Sequence, residues 1–513
     1  MIRKKKRWHS YLIPVLFLIL LFWAARFTDC DLPAFWKRKS HLTDLVFNMF
    51  PPDLSYLPRI LAPLFATVQM SVTGTVLGSF LALLLAPFGA KPLGFPAPLT
   101  RLLRILVQVF RSFPALILAL AATFLFGLGT FAGTAAITVY TFAIMTRLTY
   151  EDLETAESGP YEALCAMGAA RYPACFRAVM PEIFPSFLAN ALYLLETNVR
   201  HSSILGYVGA GGIGLLLNEK MSWLEYDKVG TILILLFLTV CMIETASRFL
   251  SSVIRKERIL SKKAERILAL AFTALFVFCT LTVASPDFSR TSPAALKNMA
   301  MGFLAPDWSF FFSTGKDGLG YLLLETVCIS FVGTVAGTII AAPLSFLNTK
   351  RFAPPAAFIF FNILIMAIRS VPFFIYGLIF IRVSGPGAFT GVLTLAVCSI
   401  GLLTKRFTES LDSLDLRPYR ALAAMGVSPV VCIFRAVLPQ LKPAFLSAVL
   451  YRFDVNIREA SVLGLVGAGG IGAPLIFAMN QYAWKKAGAI ALGLILLVWL
   501  IDSVSSRLRQ KLL

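Results

Sequence analysis

The sequence has few of the residues that catalytic and metal sites most often use. Only His9, His41 and His201 occur in 513 residues, and the eight cysteines are scattered, with no C-x-x-C among them. Zinc sites are usually built from clustered histidine and cysteine, and disulfide frameworks from regularly spaced cysteines. We therefore expect no metal, no other cofactor, no disulfide framework and no histidine-based proton chemistry.

Charged side chains are scarce as well. They make up 14% of the residues, whereas a soluble domain carries about a quarter, and the mean hydropathy is +0.78. This composition is typical of a protein that lies in a bilayer, with membrane lipid as a partner. The net charge of +20 could point to nucleic acid, but Lys and Arg stand in short runs beside apolar spans, as they do in membrane proteins. We expect no nucleic-acid partner.

Two kinds of catalytic sequence are also missing. No G-x-x-x-x-G-K-[ST] occurs, so the chain lacks the phosphate-binding loop of ATP-hydrolysing subunits. A membrane-embedded enzyme would need a convergent cluster of His, Asp or Cys, which the sequence does not indicate. We predict that the chain is not an enzyme and carries no catalytic residues.

Apolar stretches long enough to cross a bilayer run through the whole chain. YLIPVLFLILLFWAARF follows a basic start and is interpreted as a first span rather than a signal peptide, because it is long and no small-residue cleavage site follows. Eleven further spans are predicted, at 60–86, 102–126, 131–147, 186–216, 229–250, 267–284, 321–346, 356–382, 388–403, 441–476 and 487–506.

The two halves of the chain are copies of one sequence. Residues 160–214 align with 418–472 without a gap, and about half of the positions are identical, which chance does not produce over this length. A charged stretch divides the copies, so we predict a first repeat at 1–250, a cytosolic linker at 251–266 and a second repeat at 267–513. Six spans in each repeat give both the same orientation. The predicted class is an all-α polytopic membrane protein of about twelve helices in two parallel six-helix repeats.

The distribution of Lys and Arg predicts the orientation of the chain. Both termini, the loop at 91–104 and the linker are basic, as is the pair Lys350 and Arg351, and we place all of them in the cytosol. The loops that begin at Pro160 and Pro418 then also face the cytosol.

Each of these loops is predicted to contain a short helix, a glycine turn and a second helix. In the first copy Pro160 suits the opening turn, Glu162 follows within that turn, and Gly168 can end the helix in a left-handed conformation before Pro181. One apolar face is formed by Tyr161, Leu164 and Cys165. That face needs a partner. A loop packed on its own bundle is the simpler alternative.

The loop resembles the EAA motif of ABC importer permeases, which reads E-A-A, three residues, Gly, nine residues, Ile, any residue, Leu-Pro. The second copy departs from it at Arg420, where the motif has Glu. In that family the loop is the coupling helix that docks in a groove of the ATPase subunit. The resemblance therefore implies coupling roles for Glu162, Ala163, Gly168 and Pro181, and for Ala421, Gly426 and Pro439; Leu438 also matches the motif.

The GAGGIG runs at 209–214 and 467–472 match G-x-G-x-x-G literally. A nucleotide-binding fingerprint would need a strand before it and an acid about twenty residues on, whereas here an apolar span precedes it. We predict a bent or broken helix deep in the bundle, with plain helix contact as the alternative.

Arg200 and Arg458 lie in apolar stretches, four residues after Glu196 and Asp454 respectively. Acid and base at this spacing can pair on a helix, so structural pairing stays open. A charge in the membrane costs at least about 2.5 to 3.5 kcal/mol and commonly marks a transport path. The predicted path residues are the arginines, the nearby asparagines and the glycines of the two runs, namely Arg200, Arg458, Asn198, Asn456, Gly209, Gly211, Gly212, Gly467, Gly469 and Gly470.

The segment LYRFDVNIREASVLGLVGAGGIG and its sister LYLLETNVRHSSILGYVGAGGIG closely resemble the phosphonate permease family of binding-protein-dependent importers, with two permease units fused in one chain. The resemblance implies the type I ABC importer permease fold in the bacterial inner membrane. It also implies a substrate such as phosphonate or phosphite, separate ABC ATPase subunits at the cytosolic face, and a periplasmic or lipid-anchored substrate-binding protein. A secondary transporter with two parallel repeats, or an importer permease for a different small anion, remains an alternative.

Overall fold

The computed structural model describes residues 9–254, 262–283, 293–313, 315 and 317–512. Every regular element within these residues is a helix, and no described residue lies in a β-strand. The predicted all-α class is confirmed. From residue 9 to residue 254 the helices are α1 His9–Phe27, α2 Leu32–Lys37, α3 Lys39–Asn48, α4 Leu57–Gly89, α5 Ala97–Ser112, α6 Ala115–Phe126, α7 Thr130–Thr155, α8 Gly159–Ala166, α9 Arg171–Ala178, α10 Met180–Leu205, α11 Ile213–Ser222 and α12 Tyr226–Ile254.

The second half repeats the order of the long helices. Its elements are α13 Lys262–Leu281, α14 Pro293–Leu304, α15 Trp308–Phe311, α16 Leu319–Leu347, α17 Pro355–Ser370, α18 Phe373–Ser384, α19 Ala388–Asp412, α20 Arg417–Ala424, α21 Pro429–Cys432, α22 Leu438–Leu463, α23 Gly472–Asn480 and α24 Trp484–Leu512.

Each predicted span corresponds to a helix or to a bent pair of helices. By length and composition, 7 stretches of the described chain can cross a membrane, and 3 bent pairs raise that number to 10. The shorter apolar helices Pro14–Phe27 and Phe272–Leu281 occupy the predicted first span of each half. The chain is a multi-pass membrane protein.

Two predicted spans, 102–126 and 356–382, are each formed by a bent pair of helices. Helices α5 and α6 meet at a bend of 96°, and α17 and α18 at a bend of 88°. The first bend lies at Phe113, whose backbone is extended with φ −88° and ψ 131°. Proline next to it disfavours helical backbone at the preceding residue and has no N–H to donate. The second break likewise precedes a proline, Pro372.

Small residues bring the central helices of each half into close contact. A Cβ added at Gly78 of α4 would lie 2.6 Å from the Thr138 carbonyl oxygen of α7. In the second half a Cβ at Gly337 of α16 would lie 2.8 Å from the Ala396 carbonyl oxygen of α19. No side chain fits at these distances, so the backbones pack directly. Small residues commonly allow such close approach between membrane helices.

The chain forms two compact units that do not coincide with the sequence repeats. One comprises 1–45, 299–369 and 373–513, and the other comprises 46–298 and 370–372. In the first unit α1 packs against α16, with the Phe17 and Phe331 rings 5.5 Å apart. In the second, the Gln69 amide of α4 donates to the Cys279 carbonyl oxygen of α13 at 3.1 Å.

The first long helix of each repeat therefore packs on the core helices of the other repeat. The boundaries 1–250, 251–266 and 267–513 describe the sequence duplication and stay a prediction; residues 255–261 of the linker lie outside the described chain.

Candidate functional site

The loop between α7 and α10 (the first loop, 156–179) folds as two short helices joined by a glycine turn. Gly168 is left-handed, with φ +91°. Its N–H donates to the Cys165 carbonyl oxygen at 3.0 Å, and the Ala169 N–H donates to the Leu164 carbonyl oxygen at 3.1 Å. This pattern is the glycine motif that ends many helices. The predicted turn at Gly168 is confirmed.

One face of α8 packs on the protein itself. Tyr161 is buried, and its hydroxyl donates to the Leu93 carbonyl oxygen at 2.6 Å, while Leu164 and Cys165 join the same apolar cluster. Burial, assisted by a hydrogen bond with Cys165, raises the pKa of Tyr161 to about 12. The hydroxyl therefore keeps its proton at physiological pH. The opposite face of α8, which carries Glu162 and Ala163, is exposed. Packing on the bundle thus accounts for one face only.

The second loop, 413–437 between α19 and α22, has the same turn. Gly426 has φ +78°, and its N–H donates to the Ala423 carbonyl oxygen at 3.0 Å. Tyr419 stands in the place of Tyr161, and its ring lies 5.9 Å from the ring of Phe352. After α21 the loop continues as a π-helical turn, Ile433–Val437, where the first loop has α9.

The two loops differ in charge at the motif position. Glu162 and Arg420 are both exposed. The Ser158 hydroxyl donates to the Glu162 carboxylate at 2.7 Å, so this acid is already used within its own loop. Pro181 and Pro439 each stand second in a long helix, α10 and α22, where a missing N–H costs nothing. The coupling roles of these residues stay a prediction.

Both GAGGIG runs break a helix, as predicted. Gly209, Gly211 and Gly212 all have positive φ, between 77° and 83°, and separate α10 from α11. The Ile213 N–H that follows is bound by the Thr67 hydroxyl of α4 at 2.8 Å. A Cβ at Gly212 would lie 2.7 Å from that hydroxyl oxygen, so glycine is required here.

The second run has the same arrangement. Gly467, Gly469 and Gly470 have φ between 75° and 77°, and the Ile471 N–H is bound by the Thr326 hydroxyl of α16 at 3.0 Å. Backbone polar groups freed by the break are thus partly satisfied by a neighbouring helix, as a buried break requires. A path role for these glycines stays a prediction.

Asn198 and Asn456 join three helices in each half. The Asn198 amide donates to the hydroxyls of Thr75 in α4 and Thr141 in α7, both at 2.8 Å. The Asn456 amide donates to Thr334 in α16 at 2.6 Å and to Ser399 in α19 at 3.0 Å. Both asparagines are fully buried. This geometry gives them a helix-binding role, while contact with a substrate stays a prediction.

Both arginines pair with the acid one turn earlier. Arg200 contacts the Glu196 carboxylate, and Arg458 Nη2 lies 2.7 Å from Asp454 Oδ2. The pairing that the sequence left open is present, and the path role of the arginines stays a prediction. The arginine side chains retain 13% and 15% exposure, whereas those of Glu196 and Asp454 retain 7% and 4%. Each arginine is therefore the more accessible member of a buried pair.

A second buried ion pair in the second half escaped the sequence analysis. Arg452 Nη2 lies 2.7 Å from Glu459 Oε2, and Arg452 Nε donates to the Ser399 hydroxyl at 3.1 Å. The aligned residues of the first half are Leu194 and His201. The sequence did contain a signal for this pair. Arg452 and Glu459 lie seven residues apart on one helix face, and they put opposite charges on that face in the second copy only.

The family comparison matches both halves. The model for "Binding-protein-dependent transport system inner membrane component" matches residues 74–254 and 333–512. The chain belongs to this family. The matched segments contain both loops, both broken helices and all of the arginine pairs described above.

Similar curated proteins are permeases. A "Phosphate-import permease protein PhnE" of Mycolicibacterium smegmatis is 28% identical over 480 residues, 92% of this chain and 89% of that protein. The "Phosphite transport system permease protein PtxC" of Stutzerimonas stutzeri is 36% identical over 189 residues, 37% of this chain and 69% of that protein. A putative cryptic phosphonate transport system permease protein, PhnE2 of Escherichia coli, is 36% identical over 119 residues, 23% of this chain and 98% of that protein.

Among solved structures, a chain of the inward-facing MetNI methionine ABC transporter aligns with a TM-score of 0.35 and 20% identity, covering 38% of this chain and 97% of that one. That overlap is too limited to support an argument.

The family match begins at Gly74 in one half and at the aligned Gly333 in the other. It leaves out α1 and α13, the two helices that pack on the core of the other repeat.

Proposed function

We propose that this permease chain forms the translocation path of an ABC importer for a phosphorus oxyanion. Separate ATPase subunits would bind the first and second loops, and a periplasmic or lipid-anchored binding protein would deliver the substrate. The observation that carries the proposal is a buried arginine in each half, Arg200 and Arg458, placed less than three helical turns before a broken helix.

The arginines suit an anion because of their setting. A charge inside a membrane segment is expensive, and it is usually kept where it serves a substrate or ion path. Glu196 and Asp454 lower that cost without burying the arginines completely. Guanidinium groups bind the oxygens of a tetrahedral anion through two parallel hydrogen bonds, which fits phosphate, phosphite and phosphonate alike.

The sequence supports the proposed energy source and the proposed orientation. The chain has no ATP-binding loop of the P-loop type, so ATP hydrolysis would be supplied by another polypeptide. The basic segments favour a cytosolic location for the first and second loops and for both termini. The exposed faces of α8 and α20 then meet the ATPase, and the chain resides in the bacterial inner membrane.

The substrate class is supported by relatives that are named for phosphate, phosphite and phosphonate. These compounds share a tetrahedral phosphorus that carries at least two anionic or polar oxygens. We infer that the path recognises this shared chemistry, and the individual compound is an outcome of the test.

The proposal is tested by reconstituting the chain in liposomes with candidate ATPase and binding-protein partners from the same genome. Uptake of labelled phosphate, phosphite and methylphosphonate is measured with ATP or with a proton gradient, and sulfate is the control anion. We expect ATP-dependent uptake of at least one phosphorus compound and none of sulfate. Proton-driven uptake by the chain alone would contradict the proposal and favour a secondary transporter.

A further inference from the structure

A groove lies between the C-terminal ends of α19 and α24 and the first half of α22. Its volume is about 490 Å³, within the range of roughly 300 to 1,000 Å³ that small-ligand sites occupy. Arg406 lines it from α19 and Arg509 from α24, and the hydroxyl groups of Ser410, Ser447 and Tyr451 line it as well. All of these residues belong to one compact unit of the chain. We call this site the arginine groove.

The lining of the arginine groove carries more positive than negative charge. Two arginines and one acid, Glu409, contribute to it, which leaves an excess of one positive charge. Glu409 Oε2 lies 3.3 Å from Arg406 Nη1, and the two side chains are 49% and 52% exposed. Ion pairs exposed to this degree are weak, so an anion can compete with Glu409 for the guanidinium.

The equivalent place in the first half has a different charge. Helices α7 and α12 correspond residue by residue to α19 and α24, and the two arginines are replaced there by Leu148 and Ser251. Asp152 stands in place of Ser410, and its carboxylate accepts a hydrogen bond from the Ser186 hydroxyl at 2.9 Å. These replacements disfavour an anion. The arginine groove is therefore a feature of the second half, and the first half supplies the residues for a matched test.

We propose that the arginine groove binds a phosphate group at the edge of the membrane. A guanidinium group binds two phosphate oxygens through parallel hydrogen bonds, and two arginines on different helices can hold one phosphate group between them. The serine and tyrosine hydroxyls can donate to the remaining oxygens. The phosphate group has two possible sources, which are the headgroup of an anionic phospholipid and free inorganic phosphate.

The position of the groove suits both sources. Helices α19, α22 and α24 are all long and apolar enough to cross a membrane, and basic pockets between the ends of such helices bind anionic headgroups. Ser447 and Tyr451 lie on the face of α22 that continues to Arg458, which is seven residues or about 10 Å beyond Tyr451. Free phosphate that left the proposed path along this face would meet the groove. Only this second source rests on the proposed function.

The test uses the purified full chain and phenylglyoxal, which modifies arginine side chains, with the modified residues identified by peptide mass spectrometry. One arm adds inorganic phosphate to the chain in phospholipid-free detergent. The other compares nanodiscs of phosphatidylglycerol with nanodiscs of phosphatidylcholine. We expect saturating phosphate, phosphatidylglycerol or both to slow the modification of Arg406 and Arg509 at least about tenfold. Arg507, which is exposed on α24 outside the groove, is the reference and should change by less than about twofold.

Matched variants test whether the two arginines bind the phosphate group together. Arg509→Ser and Arg406→Leu each give the second half the residue of the first, and each should abolish the protection of the remaining arginine. Because charge-assisted hydrogen bonds are lost, the affinity should fall at least about tenfold. Arg507→Ser removes the same charge from the same helix and should leave the protection unchanged. Monodispersity and the Tm of each purified variant establish that it folds.

Two results would overturn the inference. One is equal modification of Arg406 and Arg509 with and without ligand in both arms, with phosphatidylcholine as the reference for the lipid arm. The other is protection of Arg406 that persists in folded Arg509→Ser. Protection by inorganic phosphate identifies free phosphate as a ligand, and protection by phosphatidylglycerol beyond phosphatidylcholine identifies a headgroup. None of these measurements involves ATP, an ATPase or uptake, so failure of the groove to bind and failure of the proposed transport function are separate outcomes.

Discussion

The junction around Asn198 in the first half and that around Asn456 in the second half use the same geometry. In each, one asparagine amide bridges hydroxyls on two other helices. The side chains next to the junctions differ, because the first half has Leu194 where the second has Arg452. Three helices can therefore be held together with or without an additional buried ion pair.

This difference separates contacts that both halves share from charges that only one half has. Contacts that close the helix bundle are the same in both copies: small residues between the central helices, threonines bound to the backbone after each glycine run, and the asparagine bridge. The arginine pairs of Arg200 and Arg458 also recur in both copies, whereas Arg452 and Glu459 have no charged counterpart in the first half. The arginine pairs thus behave like the bundle contacts, as a feature that both halves need.

The largest expected effect comes from breaking the ion pair that only the second half has. Arg452→Leu leaves the Glu459 carboxylate in a buried site without its arginine, which costs about 3 to 5 kcal/mol. Adding Glu459→His gives the second half the residues of the first, and most of the stability should return. Thermal unfolding in detergent, followed by Tm, compares the two variants.

The control for this comparison is Glu459→His alone, which leaves Arg452 buried without its carboxylate and should also destabilise the chain. If Arg452→Leu/Glu459→His were as unstable as Arg452→Leu, the ion pair would be essential to the second junction. The two halves would then differ in how their helices are joined, and the comparison above would fail.

A smaller effect is expected from removing the asparagine bridges. Asn198→Leu removes two hydrogen bonds, each worth about 0.5 to 1.5 kcal/mol, so its cost should be about 1 to 3 kcal/mol. Asn456→Leu should cost less, because Arg452 still ties α22 to Ser399 of α19. The same unfolding assay checks this order. A larger loss of stability for Asn456→Leu than for Asn198→Leu would show that Arg452 does not help to hold α22 and α19 together.

Much of the helical fold could be predicted from the sequence. Apolar length identified the spans, the gap-free duplication identified the repeat, and Gly168 and the GAGGIG runs marked backbone breaks that the structure has. These features are local, since each depends on residues that are neighbours in the chain.

The features missed by the sequence analysis depend on non-local or averaged information. Hydropathy averaged over a span concealed the bend at Phe113. Nothing in the apolar stretch of α1 indicates that it packs on α16, because an apolar helix can pack against any other apolar helix surface. The pair of Arg452 with Glu459 was obscured because the predicted pairs were one helical turn apart, whereas these residues are two turns apart.

The central claim is that Arg200 and Arg458 serve an anion path, beyond pairing with their acids. It is tested by uptake at limiting substrate in two neutral double variants, Arg458→Met with Asp454→Asn and Arg200→Met with Glu196→Gln. Neither leaves an unpaired buried charge from the pair, so both should fold and bind the ATPase. The account predicts that uptake falls at least about tenfold in each, since charge-assisted hydrogen bonds to the anion are lost. Full uptake by either folded double variant would show that its arginine is structural and would contradict the claim for that half.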